Sequence, residues 1–293
     1  MALKLRNQRV AVIGLGAIGS PVAVNLAKKG ADVQIWNRSK EALAAAKNAG
    51  AKVASDLKDI DAAIVLTALP DLMQVKSVLE KGLRGALKSG DILVVMGTVS
   101  PVAIKELGRE LAKDGIHLVD APVSGGDVGA QAGTLSIMVG ASEDEFETLL
   151  PVFQLVGQTI RHLGNLGAGE MAKACNQIVV AVTLTALAEA VTLGRKAGLD
   201  TKALLDILAG GYANSQVLNV KRERIETGDY TPGGSAAFQL KDLKFALEAG
   251  LETGTSLPTT ETVTKLFQSL IDAGDGELDH SSIFREIERR SNN

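Results

Sequence analysis

The stretch RVAVIGLGAIGSPVAVNLAKKG, Arg9–Gly30, decides the fold. After Arg9 it opens with a short apolar run, the pattern of a parallel strand buried on both faces. GSPVAVNLAKKG then takes helical spacing and closes on Gly30. Between strand and helix lie Gly14, Gly16 and Gly19, in the G-x-G-x-x-G spacing. Each glycine has a physical task in a unit that seats a dinucleotide. Gly14 permits the tight turn, and Gly16 lets backbone approach a pyrophosphate. Gly19 lets the helix pack against the strand. The pyrophosphate sits where the free N–H groups of the helix N-terminus point. Leu15, Ala17 and Ile18 complete the turn, so Gly14–Gly19 as a whole is the expected cofactor loop.

Outward from this unit the pattern repeats. DVQIWN, AKVAS, AAIVLTAL, DILVVMG, IHLVDAPV, TLSIMVG and QTIRHLG read as strands, separated by helical stretches such as SKEALAAAKNAG, LMQVKSVLEKG and SPVAIKELGRELAKDG. Such alternation gives a doubly wound, mostly parallel sheet covered on both faces, a Rossmann-type α/β domain over residues 1–165. From Gly167 onward no strand pattern remains. One helix of roughly 30 residues, long for a globular protein, opens an all-α domain over residues 166–293. DTKALLDILAGG, SQVLNVKRERIETG, AAFQLKDLKFALEAGLETG and TTETVTKLFQSLIDAG supply further helices, and DYTPGGSA reads as a loop.

At 293 residues, two domains match the usual size of roughly 100–200 residues each. Charged residues make up 22% and the net charge is −3, which offers nothing to nucleic acid or to an anionic membrane. IVVAVTLTAL, broken by Glu189, reads as short of the roughly 20 residues a membrane span needs. MALKLRNQRVAVIG holds no signal-type apolar core. Cys175 is the only cysteine, in keeping with a reducing cytoplasm. His117, His162 and His280 show no ligand spacing, so no metal site is expected.

The end of the second strand discriminates between dinucleotides. A carboxylate there accepts from the ribose 2′-hydroxyl of NAD. Here the slot reads Asn37, Arg38, Ser39, an amide, a guanidinium and a hydroxyl that can donate to a 2′-phosphate. NADP is therefore the expected cofactor, with NAD possible.

GAGEMAKACNQIVVAV, Gly167–Val182, places Glu170, Lys173, Asn176 and Gln177 on one face of an otherwise apolar helix. A Glu170–Lys173 surface pair would be the bland reading. A helix apolar all round is expected to be buried, and a buried lysine releases its proton more readily, which suits a general acid/base. A second stretch, DAPVSGGDVGAQAGTL from Asp120, begins at a strand end, where open α/β sheets bind ligands. Its Ser124, Gly125 and Gly126 offer a hydroxyl and open N–H groups suited to a carboxylate.

Together GLGAIGSP, Leu69–Pro70, GTVSP from Gly97, DAPVSGGDVGAQAGTL, GAGEMAKACNQ and QLKDLKFA resemble the β-hydroxyacid dehydrogenase family, over nearly the whole chain. That family includes 3-hydroxyisobutyrate dehydrogenase and tartronate semialdehyde (2-hydroxy-3-oxopropionate) reductase. The resemblance implies hydride transfer between a nicotinamide and the carbon of a β-hydroxyl group. It implies Lys173 as the catalytic general acid/base, Ser124–Gly126 as the carboxylate loop, and Asn176 and Gln177 as substrate amides. It further implies Leu69, Pro70 and Thr98 along the cofactor, and Lys241 at its nicotinamide end. A small carboxylic-acid substrate and a homodimer or homotetramer follow from it, without nucleic-acid or membrane partners. Two departures stand out: Gly97 replaces the usual Ser, and Gln177 stands where Asn is frequent in 3-hydroxyisobutyrate dehydrogenases. The rival readings are a non-catalytic NADP-binding module and an imine reductase-like activity. Keeping Lys173, Ser124 and Lys241 together argues against the first, and Lys173 argues against the second.

Overall fold

The computed structural model describes residues 7–231 and 233–292. Residues 1–6, at the start of the first expected domain, and Pro232, in the DYTPGGSA loop, lie outside the described residues. The described residues form two compact units, divided between Lys173 and Ala174.

In the first unit strands and helices alternate: β1 (Val10–Ile13), α1 (Gly19–Lys28), β2 (Val33–Trp36), α2 (Ala44–Asn48), β3 (Lys52–Val53), β4 (Ile64–Thr67), α3 (Leu72–Val78), α4 (Arg84–Ala86), β5 (Ile92–Val95), α5 (Ala103–Leu111), β6 (His117–Asp120), β7 (Val123–Ser124), α6 (Gly126–Ala132), β8 (Leu135–Gly140), α7 (Glu143–Phe153) and β9 (Gly157–Gly164). The sheet runs β3-β2-β1-β4-β5-β6-β8-β7, with β9 beside β8. β1 to β6 are parallel, and β8 turns antiparallel to β6 and β7. Alternate residues feed two cores. Val10, Val12, Ile64 and Leu66 pack with Leu26 of α1 and Phe153 of α7, while Ala11, Ile13 and Val65 pack with Val75 of α3 and Leu107 of α5. A strand that buries both faces must be apolar at every position, which is why these strands read as unbroken runs. Ser142 and Glu145 close a capping box at the start of α7, satisfying donors that a helix start otherwise leaves open.

α8 (Ala168–Lys196) begins in the first unit and continues through the second. There it is joined by α9 (Thr201–Ala209), α10 (Gln216–Thr227), α11 (Ala236–Thr253), α12 (Pro258–Leu270) and α13 (Ile283–Asn292). Ala181, Leu184, Ala188 and Val191 of α8, spaced three and four apart, pack with Leu218, Leu243, Phe267 and Phe284. Asp200, Ser215 and Ser235 cap the next helices by accepting from backbone N–H groups. Asp279 ties Tyr230 to the helical unit: its N–H donates to the Tyr230 carbonyl, and its buried carboxylate pairs with Lys221 at 2.8 Å.

The structure departs from the sequence reading in three places. IHLVDAPV is not one strand. β6 ends at Asp120, Ala121 and Pro122 interrupt it, and β7 follows in the same antiparallel register along β8, since proline supplies no N–H to continue a ladder. α13 was not anticipated, because SSIFREIERRSN is mostly polar and its buried face combines Ile283, Phe284 and Ile287 with the carboxylate of Glu286. By length and hydropathy α8 does satisfy the test for a membrane span, so the expectation that it falls short is corrected. One face of that apolar length forms the core of the helical unit.

Candidate active site

β1 delivers the glycine loop at its C-terminal end. Gly14 adopts φ +87°, and a Cβ there would meet the Ala68 carbonyl at 2.8 Å. A Cβ on Gly19 would stand 1.8 Å from the Gly14 carbonyl oxygen, so only glycine lets α1 start against the turn. Gly16 is exposed and has nothing within 4 Å of its Cβ position. The loop is therefore tight on its inner side and open on its outer side, which is what a pyrophosphate needs from backbone N–H groups. Leu15 is buried and Ile18 packs on the core, while Ala17 is exposed.

Asn37, Arg38 and Ser39 follow β2, next to this loop. The Asn37 Oδ1 accepts from the Leu15 N–H at 2.9 Å, and its amide donates to the Ser39 carbonyl. The Ser39 hydroxyl donates to Glu41, whose carboxyl this bond holds below its ordinary range. Asn37 thus braces the glycine loop, Ser39 is engaged with a carboxylate, and Arg38 is exposed. Leu69 and Pro70 lie beyond the C-terminal end of β4, which is beside β1 in the sheet, and Thr98 lies beyond that of β5, the next strand out. A Cβ at Gly97 would stand 1.9 Å from the Leu69 carbonyl oxygen, which explains the glycine at this position.

The end of β6 and the start of α8 meet within the same unit. Lys173 is 8% exposed and Glu170 only 1%, so the pair does not sit on the surface. The Lys173 Nζ donates to the Val123 carbonyl at 2.8 Å, immediately before Ser124. Ser124 is half-buried in β7, and Gly125 and Gly126 are exposed, with φ +122° and +62°. Glu170 accepts from the Val99 N–H at 3.1 Å, tying the segment after β5 to α8. Asp120 accepts from the Gly167 and Glu170 N–H groups, each at 2.6 Å. Burial pushes the Asp120 carboxyl up to about 6, against the opposing pull of these donors.

In the helical unit Gln177 donates to Asp242 at 2.7 Å. The Lys241 ammonium is 3.3 Å from Asp242 and lies over the Phe238 and Phe245 rings. Gln239, itself buried, donates to the Gln177 carbonyl and contacts His280. Asn176, one turn past Lys173 in α8, keeps a buried Oδ1 without a hydrogen-bond partner among the described residues. The two amides therefore differ: Gln177 is held by Asp242, and Asn176 has an unused acceptor. Sequence reasoning missed Asp120, Glu170 as a buried tie, Gln239 and Asp242. The only signal for Asp242 was its place in the KDL motif. Asp120 was visible only as a carboxylate at the end of an apolar strand.

Residues 9–164 match the model of the NAD-binding domain of 6-phosphogluconate dehydrogenase, and residues 167–287 match the NAD-binding model of NADP-dependent 3-hydroxyisobutyrate dehydrogenase. The chain belongs to the β-hydroxyacid dehydrogenase family. It is 38% identical to the 2-(hydroxymethyl)glutarate dehydrogenase of Eubacterium barkeri, covering 97% of this chain and 96% of that protein. It is 36% identical to the 2-hydroxy-3-oxopropionate reductase of Escherichia coli K12, covering 97% and 98%. A crystal structure of 3-hydroxyisobutyrate dehydrogenase from Salmonella typhimurium superposes with a TM-score of 0.88 at 27% identity, covering 95% of this chain and 99% of that one. As a β-hydroxyacid dehydrogenase the chain is a nicotinamide-dependent oxidoreductase acting on CH–OH groups. The loop Gly14–Gly19 fits that cofactor, because Gly14 and Gly19 leave no room for a Cβ while Gly16 is open.

Proposed function

We propose that this β-hydroxyacid dehydrogenase interconverts a small β-hydroxy carboxylate and its semialdehyde, prefers NADP, and uses Lys173 as general acid/base. The observation that carries the reading is the buried Lys173 ammonium held at the Val123 carbonyl, next to the Ser124–Gly126 turn. A bound nicotinamide supplies the hydride in reduction and accepts it in oxidation. Gly14–Gly19 hold its pyrophosphate, and Arg38 meets the 2′-phosphate, since Asn37 and Ser39 are engaged elsewhere. Leu69, Pro70 and Thr98 flank it, and the family resemblance assigns Lys241 to its nicotinamide end.

The Ser124 hydroxyl and the N–H groups of Gly125 and Gly126 hold the substrate carboxylate. Lys173 donates its proton to the carbonyl oxygen in reduction and takes the hydroxyl proton in oxidation. The family resemblance gives Asn176 and Gln177 to the substrate; within the helical unit Asn176 keeps a buried Oδ1 and Gln177 is oriented by its bond to Asp242. The names of the two relatives given above support this class, since each acts on an alcohol or aldehyde carbon β to a carboxylate. We also propose a homodimer or homotetramer built on the helical unit. Its support is the exposure of Val179, Leu193, Ile207, Val220 and Leu251 there.

Lys173→Met keeps the apolar stem and removes the proton. Turnover with a semialdehyde carboxylate should fall by roughly 10²–10⁴, the usual worth of general acid–base catalysis, while NADPH still binds. Near-wild-type turnover in this variant overturns the reading.

A further inference from the structure

We infer that Asp120 is a positioning residue for Lys173: from the end of β6 its carboxylate caps the start of α8 and fixes where the lysine stands. The inference rests on the proposed role of Lys173 and adds a residue to which no role has been assigned.

A helix start leaves its first N–H groups without partners inside the helix, and a Ser, Thr, Asp or Asn just before it commonly accepts from one of them. α8 has no such neighbour. The position before Ala168 is Gly167, at φ +93°, where a Cβ would meet Lys105 Cε at 2.7 Å and the Pro101 carbonyl at 3.0 Å. A capping side chain cannot be placed there. Asp120 does the work from 47 residues upstream, with one oxygen on the Gly167 N–H and the other on the Glu170 N–H. Two bonds to two donors of one turn fix both the axial position and the rotation of the helix start. A negative charge at this end also suits the helix dipole.

The space for the carboxylate is built. A Cβ at Gly140 would lie 2.2 Å from Asp120 Oδ1, and one at Gly169 would lie 2.9 Å from Oδ2. Glycines from β8 and α8 therefore wall a pocket shaped to this side chain. Lys173 follows Glu170 by one turn, and its Nζ reaches the Val123 carbonyl, three residues past Asp120. Asp120 and Val123 thus hold the two ends of one helical turn. Glu170 adds a third tie, to Val99. A shift of the helix start moves the ammonium from the Ser124 turn, and misplacement of about 1 Å can cost on the order of a hundredfold in rate.

The test is a double-mutant cycle on the full-length protein, using NADPH and a semialdehyde carboxylate, with kcat, KM and NADPH affinity measured for each variant. Asp120→Ala should lower kcat by about 10- to 100-fold in the wild-type background. On top of Lys173→Met it should lower the residual kcat by less than about twofold, because a residue acting only through the lysine has nothing left to position. NADPH affinity should stay within about twofold throughout. Asp120→Asn, which keeps the shape and one acceptor oxygen, carries the same cycle if the alanine variant does not fold, with a smaller loss of kcat. Equal factors in both backgrounds, or unchanged kcat in both Asp120 variants, overturn the inference. Lys173→Met with near-wild-type turnover overturns the proposed function as well, whereas equal factors with an impaired Lys173→Met overturn only the role of Asp120.

Discussion

Arg38 is exposed at the end of β2 while both of its neighbours are engaged. The proposed preference for NADP therefore rests on one guanidinium. Arg38→Ala should reduce kcat/KM with NADPH by about tenfold or more, the worth of a charge-assisted phosphate contact, and leave kcat/KM with NADH nearly unchanged. Steady-state kinetics with both cofactors checks this, and an unchanged ratio would refute the preference. Asp120 makes a different prediction. Its carboxyl rises from 3.8 in the unfolded chain to about 6 in the fold, because burial disfavours its charge. Between these values the folded chain holds a proton that the unfolded chain has lost, so this group's contribution to stability is full at low pH and declines as pH rises through the window. Urea midpoints measured across it should fall less steeply with pH for Asp120→Asn than for the wild type. The roles of Gly14 and Gly19 were legible in the sequence because their constraint is local, a turn and a helix start a few residues apart. Asp120 was not, because the groups that give it meaning lie 47 and 50 residues away.

Parallel strands buried on both faces announce themselves as apolar runs, so the order of strands and helices in the first unit was readable from composition and punctuation. What periodicity did not convey was the break after Asp120. Apart from Asp120, VDAPV is apolar, and only the pairings show that the chain leaves β5 there while keeping one antiparallel register along β8, from Asp120 opposite Gly140 to Val123 opposite Ile137. That break sets the Val123 carbonyl and Ser124 beside Lys173, so the least legible element of the sheet belongs to the candidate site. The ends of β4 and β5 carry a related constraint at Gly97. Gly97→Ser would restore the residue frequent at this position but would drive a Cβ into the Leu69 carbonyl, 1.9 Å away. We expect a loss of about 1–3 kcal/mol, the cost of overpacking, together with weaker NADPH binding, because Leu69 and Thr98 flank the proposed cofactor path. Thermal melts and NADPH titration of the variant check both, and a fully stable variant with unchanged affinity would refute the constraint.

At the scale of the whole chain, an α/β unit is followed by a helical unit, and α8 runs through the division between them. The switch from strand to helix patterns near Gly167 was readable from the sequence. The compact units divide six residues into α8, because Ala168–Lys173 pack with the sheet. The helical unit exposes large apolar side chains on α8, α9, α10 and α11. Light scattering at micromolar concentration should therefore return a mass of about twice or four times the 30.5 kDa of one chain. A sharp 30.5 kDa species would refute the proposed assembly. The pocket around Asp120 has a consequence for how such a sequence can drift. Its walls come from residues far apart in the chain, Gly140 and Gly169, and they do not constrain evolution equally. A methyl at Gly140 meets only Asp120 atoms among its nearest neighbours, whereas one at Gly169 also meets the Met138 backbone carbonyl at 2.3 Å. Gly140→Ala is thus closed to a lineage that keeps Asp120 and open to one that has already shortened it, while Gly169→Ala is closed to both. The order of mutations decides which sequences are reachable, and a relative with a larger residue at the Gly140 position should be one whose ancestor first gave up the aspartate.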